Sequence, residues 1–374
     1  MPQPSNSIRA TAGKLFIIGF DGIAMSPGLA SLLRRVQPSG VILFARNIAN
    51  AQQTYQLLRD CQGEVRERLF TCVDLEGGRV DRFRNVTGPA PAAAEVFATG
   101  NRKLYRRHGA IIGRICSGLG FNVDFAPVLD LSFEASRKVM SSRAFSTDPE
   151  EVIVYAREFL AGLASARVMG AGKHFPGLGE GRLDSHEHLP IIHKSFGKLW
   201  AEDLAPYRAM RRELDMVLVN HANYPEVTGD QLPASLSKKW VSEVLRRKIG
   251  YRGLIVSDDL EMGGVLKAAP IAEAAVAFIR AGGELCLVCH EEKHIEAAFE
   301  AVVREGEGDA RFRRRMAEAA VHVAACKRKS SGLMKPGAGP SEEKIRRLTT
   351  ELWEFSERVR YSALHSVAAA GARP

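Results

Sequence analysis

LDMVLVNHA, residues 214–222, is apolar over most of its length and ends in polar side chains. A strand with one wet face alternates, whereas a nearly continuous apolar run fits a parallel strand covered on both faces. Seven further runs share this character: KLFIIGF (14–20), GVILF (40–44), LFTCVDL (69–75), FNVDFAPVLD (121–130), ARVMGAGKH (166–174), GLIVSDDL (253–260) and GELCLVC (283–289). Helical patterns separate them. Asp148 is placed to cap one helix, with Pro149 at its first position and Glu151 closing a capping box. Ser237 opens another, which carries Trp240, Val241, Val244 and Leu245 and stops at Gly250. Eight strands alternating with helices predict an α/β fold, a single-domain (β/α)8 TIM-type barrel. The dinucleotide fingerprint G-x-G-x-x-G follows none of these strands, which argues against a Rossmann sheet.

The expected organisation is an N-terminal tail over 1–13, the barrel over 14–330, and a linker plus C-terminal helix over 331–374. The linker is read from KRKSSGLMKPGAGPSEE, and the helix from Ile345, Leu348, Leu352 and Phe355 along one stripe. That helix is expected to dock on the barrel.

Of the 374 residues, 45% are hydrophobic and 25% charged, with a net charge of +9. The basic residues are dispersed and not interleaved with aromatics, so a nucleic-acid partner is not expected. No apolar run reaches the roughly 18 residues of a membrane span. The first twenty residues lack the pattern of a signal peptide, and six scattered cysteines fit reduced thiols, so the expectation is a cytoplasmic protein.

In a barrel the active site is built at the C-terminal ends of the strands. Those ends carry Asp74 and Glu76, Asp130, Lys173 and His174, His221 and Asn223, and Asp258 and Asp259. After the fifth strand comes KHFPGLGEGRLDSHEHLP (173–190), where Gly177, Gly179 and Gly181 confer freedom and Asp184 stands two residues before His186. In extended chain those two side chains share a face, and a carboxylate beside an imidazole suits general acid/base work.

This strip closely resembles the signature K-H-F-P-G-H-G-x4-D-S-H-x2-L-P of family 3 glycoside hydrolases, in the single-domain β-N-acetylglucosaminidase branch. DLEGGRVDR, FNVDFAPVLDL, SSRAFSTDP, LPASLSKKW and GLIVSDDLEM look like that family's counterparts in the same order. The resemblance implies a retaining exo-β-N-acetylglucosaminidase acting on terminal β-linked GlcNAc, with peptidoglycan fragments as the substrate class. It implies Asp258 as nucleophile, His186 as acid/base oriented by Asp184, and Asp74, Arg82, Arg143, Lys173 and His174 as sugar-binding residues. Asp259 becomes a structural or capping neighbour. A small carbohydrate is the expected partner, with no cofactor or metal, no nucleic acid, no membrane, and a monomer or weak homodimer. The family pattern has histidine where this chain has Leu178, so a polar contact or loop anchor is expected to be lost.

Competing readings are a β-glucosidase or glycoside phosphorylase of the same superfamily, or a sugar-binding barrel without activity. His188 and His193 read as solvated. His174, Asp184, His186 and His188 lack the helical H-x3-H or cysteine pairs of a zinc site. CLVCH (286–290) matches a haem-attachment string, but it lies within an apolar strand. Ser185 is not part of a nucleophile elbow.

Overall fold

The computed structural model describes residues 4–181, 189–330, 333 and 339–371. The eight expected strands form a closed parallel barrel in sequence order. They are β1 (Phe16–Ile18), β2 (Gly40–Ile42), β3 (Phe70–Val73), β4 (Val123–Asp124), β5 (Met169–Phe175), β6 (Met216–Val219), β7 (Leu254–Asp259) and β8 (Leu285–Val288). β8 returns to β1 with Cys286 opposite Phe16, so no strand edge is left bare.

Side chains alternate across each strand, and this splits the core in two. Ile17, Ile42, Phe70, Cys72, Val123, Met169, Ala171, Met216, Leu218, Leu254, Val256, Leu285 and Leu287 fill the barrel interior. Ile18, Val41, Val73, Val217, Ile255, Cys286 and Val288 point outward into the layer beneath the helices. Both faces are dry, which is why the strands read as continuous apolar runs. The two cysteines of CLVCH are thereby buried, Cys286 outside the barrel and Cys289 with the interior set.

Local chemistry sets the helix starts. Asp148 caps Pro149–Ser165 by accepting from the Glu150 amide. The expected capping box does not form, because the Glu151 carboxylate accepts instead from the Ser146 hydroxyl. The helix Lys239–Lys248 begins from Ser237, whose carbonyl accepts from the Val241 amide, and buries Trp240, Val241, Val244 and Leu245. It ends before Gly250, which has a φ of +76°.

The segment read as an N-terminal tail is instead a helix, Pro4–Gly13. Arg9 forks onto Glu300 at 2.9 and 2.6 Å, and Ala12 is fully buried. At the N-terminal end of the barrel, Val323 and Leu333 close the interior cluster. Val323 belongs to the helix Ala310–Lys329. A further helix, Glu342–Gly371, buries Leu348, Leu352, Phe355 and Val359 and pairs Glu351 with Arg114. Among the described residues no helix is long and apolar enough to cross a membrane.

Candidate active site

The alternation that fills the barrel also furnishes its upper layer. Two residues beyond Cys72 comes Asp74, two beyond Ala171 comes Lys173, and two beyond Val256 comes Asp258. Polar groups thus sit on the apolar plug, at the C-terminal mouth where barrel enzymes place their chemistry.

Lys173 is the hub, with a side chain only 3% exposed. Its ammonium donates to Asp74 at 2.7 Å and lies 2.6 Å from Glu76. Glu76 stands on a tight hairpin, Leu75–Gly77 paired with Val80–Asp81. Gly77 and Gly78 take φ of +86° and +61°, and a Cβ at Gly77 would lie 2.1 Å from the Pro91 carbonyl oxygen. Arg143 reaches Glu76 from the turn Ser141–Arg143, donating from Nε and Nη2 at 2.7 Å each. Burial resists ionisation of Glu76, but Arg143 and Lys173 outweigh it and hold its carboxyl well below the usual range. Burial likewise opposes the Lys173 charge, while Asp74 and Glu76 raise its pKa overall.

His174 is held at both nitrogens. Nδ1 lies 2.6 Å from Asp130, and Nε2 lies 3.3 Å from the Arg143 guanidinium, which can only donate. The Asp130 carboxylate can only accept, so Nδ1 donates to it. Asp130 also accepts from the Leu178 amide at 2.7 Å.

Asp258, at the end of β7, is partly exposed. Burial favours its neutral form, but His174, His221, the Asp259 amide and Lys173 prevail and lower its pKa. A partly exposed carboxylate kept ionised is what an attacking or charge-stabilising group requires. Asp259 turns elsewhere: its carboxylate lies 3.1 Å from His290 and accepts from the Glu261 amide. His221 is buried, which lowers its pKa. Its Nε2 donates to the Asp259 carbonyl at 2.9 Å, and Nδ1 lies 2.7 Å from the Ser235 hydroxyl. It props the end of β7 from below.

Most of the site residues expected from sequence converge here: Asp74, Arg143, Lys173, His174 and Asp258. Arg82 joins at longer range, 3.9 Å from Asp74, with its guanidinium over the Phe44 ring. Asp184 and His186, with Ser185 and His188, lie outside the described residues. His193 is exposed beside Glu226. Asn223 is structural: its amide nitrogen donates to the Asp230 and Leu232 carbonyls. At Leu178 the backbone amide donates to Asp130 and the side chain enters the apolar core, so the side chain itself makes no polar contact.

Three groups had no sequence signal for their roles. Glu76 and Asp130 were legible as strand-end acids, yet not as the partners that orient Arg143 and His174. Asn220, which donates to the His174 carbonyl and to Tyr224, went unmarked. Among the described residues no group of three histidine, cysteine or acidic side chains is disposed to hold a metal. A cavity of about 820 Å³ opens at the other end of the barrel, beside Tyr55, Thr71, Asn122 and Leu333, away from all these groups.

The family model described as glycosyl hydrolase family 3 N terminal domain matches residues 7–325. The chain belongs to glycosyl hydrolase family 3. Among its relatives in that family, a protein named beta-hexosaminidase from Bordetella avium is 39% identical over 266 residues, covering 69% of this chain and 75% of that protein. One of the same name from Pseudomonas aeruginosa is 35% identical over 274 residues, covering 73% and 81%. A solved family 3 beta-N-acetylglucosaminidase from Paenibacillus superposes with a TM-score of 0.85 at 30% identity, covering 93% of this chain and 68% of that one. The polar mouth described above is therefore the candidate active site of a glycoside hydrolase.

Proposed function

We propose that the protein is a retaining exo-β-N-acetylglucosaminidase that removes terminal β-linked GlcNAc, with peptidoglycan fragments as its substrate. The observation that carries this reading is the divergence of the adjacent acids. Asp258 faces the Lys173–His174 cluster, whereas Asp259 is spent on His290 and a backbone amide. The names of the relatives supply the hexosaminidase activity.

In this mechanism Asp258 attacks the anomeric carbon while the bond to the leaving oxygen breaks, and His186 gives that oxygen its proton. Water then attacks the glycosyl-enzyme, His186 takes up the water proton, and Asp258 is released. Asp184 orients His186. Asp74, Arg82, Arg143, Lys173 and His174 grip the sugar through charge-assisted hydrogen bonds, with Glu76 and Asp130 fixing two of them. The net charge of +9, and Arg46 and Arg82 around Phe44, suit an acidic aglycone. All six cysteines are free, which suits a reducing compartment such as the cytoplasm.

The test is Asp258→Ala on an aryl β-GlcNAc. Turnover is expected to fall by about a thousandfold or more, in line with loss of a covalent nucleophile. Undiminished turnover removes the assignment.

A further inference from the structure

Glu261 and His290 tie the loop after β7 to the loop after β8, and the mechanism above gives neither residue a role. The Glu261 side chain is 5% exposed, and its carboxylate reaches across to the neighbouring loop. There it accepts from the amides of Cys289 at 2.7 Å, Glu291 at 2.9 Å and His290, and lies 2.7 Å from His294 Nδ1. Those groups precede and open the helix Glu292–Gly308. The backbone that carries His290 is thereby fixed. Its imidazole is held as well: the ring stacks on Phe44, with centroids 5.5 Å apart and planes at 27°. Nε2 lies 3.1 Å from the Asp259 carboxylate.

Asp259 is tied at each of its polar groups. Besides meeting His290, its carboxylate accepts from the Glu261 amide at 3.1 Å. Its carbonyl accepts from His221 Nε2 at 2.9 Å and from the Met262 amide at 3.0 Å. Its own amide donates to the Asp258 carboxylate at 2.9 Å. A donor to the nucleophile thus belongs to a residue held from β6 on one side and from β8 on the other.

Two adjacent carboxylates oppose each other's ionisation unless a cation matches one of them. His290 is placed to be that cation. The hydrogen bond to Asp259 holds its pKa above the ordinary value, against burial and Arg46 and with help from Glu261. Arg46 is itself engaged, 2.7 Å from Asp21 and donating to the Cys289 carbonyl at 2.6 Å.

We propose that His290 is a positioning residue for the nucleophile: as an imidazolium it neutralises Asp259 and holds it against the β8 loop, so that Asp258 ionises unopposed and keeps its amide donor. This rests on the reading of Asp258 as nucleophile. It concerns attack on the sugar, not protonation of the leaving group.

The test uses dinitrophenyl β-GlcNAc, whose leaving group needs no proton, so that the acid limb of kcat/KM follows ionisation of the nucleophile. In that limb His290 is charged in the wild type, and its effect is full. His290→Gln leaves Asp259 as an unmatched anion beside Asp258. The expected result is an acid limb about one pH unit higher. At the pH optimum kcat/KM falls by about tenfold, as the Asp259 amide shifts. The double variant His290→Gln with Asp259→Asn has the same net charge at this pair as the wild type. Its acid limb is expected back within about 0.3 unit of the wild type, since His290 acts through Asp259.

An unmoved acid limb in His290→Gln overturns the proposal, and so does an equal shift in the double variant. Should His290→Gln fail to fold, the smaller His290→Asn is read in the same way. Asp258→Ala is measured alongside. Undiminished turnover there overturns the nucleophile reading together with this one. An inactive Asp258→Ala beside an unmoved limb in His290→Gln overturns the positioning role alone.

Discussion

Two lysines are buried at opposite ends of the same barrel, and their surroundings could hardly differ more. At the C-terminal mouth Lys173 is enclosed by Asp74 and Glu76, and Arg143 shares the Glu76 carboxylate with it. At the N-terminal end Lys327 is 7% exposed, and among the described residues its ammonium has no hydrogen-bond partner, only the face of Phe70 at 5.0 Å. Burial opposes both charges. At Lys173 the carboxylates win and the pKa rises; at Lys327 burial wins, and Glu67 and Cys72, opposed by Lys14, leave it at about 8. A buried charge held by matched partners is a fixed tool. One without partners is a burden on the fold, and the difference lies in the neighbours rather than in depth.

Removing each ammonium should separate the two cases. Lys173→Met strands Asp74 and Glu76, and breaking a buried network in this way costs about 3–5 kcal/mol. Urea unfolding is expected to show that loss, with activity down by at least about a hundredfold. A variant as stable as the wild type would break the contrast. Lys327→Met is expected to go the other way and stabilise by about 3 kcal/mol at pH 7, the cost of keeping a lysine charged below its ordinary pKa. That gain belongs to low pH: it is full below about pH 8 and shrinks as pH rises towards the ordinary lysine value, because the wild-type amine is then neutral in both states. A destabilised Lys327→Met would show that the Phe70 contact matters more than desolvation.

The smallest effect comes from the same helix and has the opposite sign. His322 lies 2.6 Å from Glu284 and donates to the Arg252 carbonyl at 3.1 Å. Hydrogen bonds to Cys326 and Glu284 raise its pKa to about 9. A base held above its ordinary value adds stability that is full below about pH 6.5 and is lost as pH rises through about 9. His322→Ala is therefore expected to cost about 1 kcal/mol at pH 6, discounted for its partial exposure, and close to nothing above pH 10. Denaturation midpoints across pH would check it; a constant gap between variant and wild type would mean that packing, not charge, is lost.

How much of this was legible differs between residue classes. The strands were readable because a barrel buries both faces of each one, so the apolar signal is nearly continuous and needs no partner to be recognised. The strand-end acids and Lys173 were readable because polarity changes sharply where the apolar plug stops. The pairings were not. Lys194 and Asp203 look like ordinary surface charges in sequence, yet folding buries both and sets them 2.5 Å apart. Asp203 is buried enough that its carboxyl sits at about 6 despite Lys194. The N-terminal helix was missed because Pro4–Gly13 has only a weak apolar face, and its docking depends on residues nearly three hundred positions away, such as Glu300.

Sequence alone determined the alternation of strands and helices, the placement of polar residues at one end of the barrel, and the family, since periodicity and motif order are properties of neighbours along the chain. Tertiary structure decided what holds Asp259 away from the cluster, which acid orients His174, and which buried lysine is matched. Each of those depends on groups brought together from distant strands, and on whether they arrive close enough to repay the loss of water.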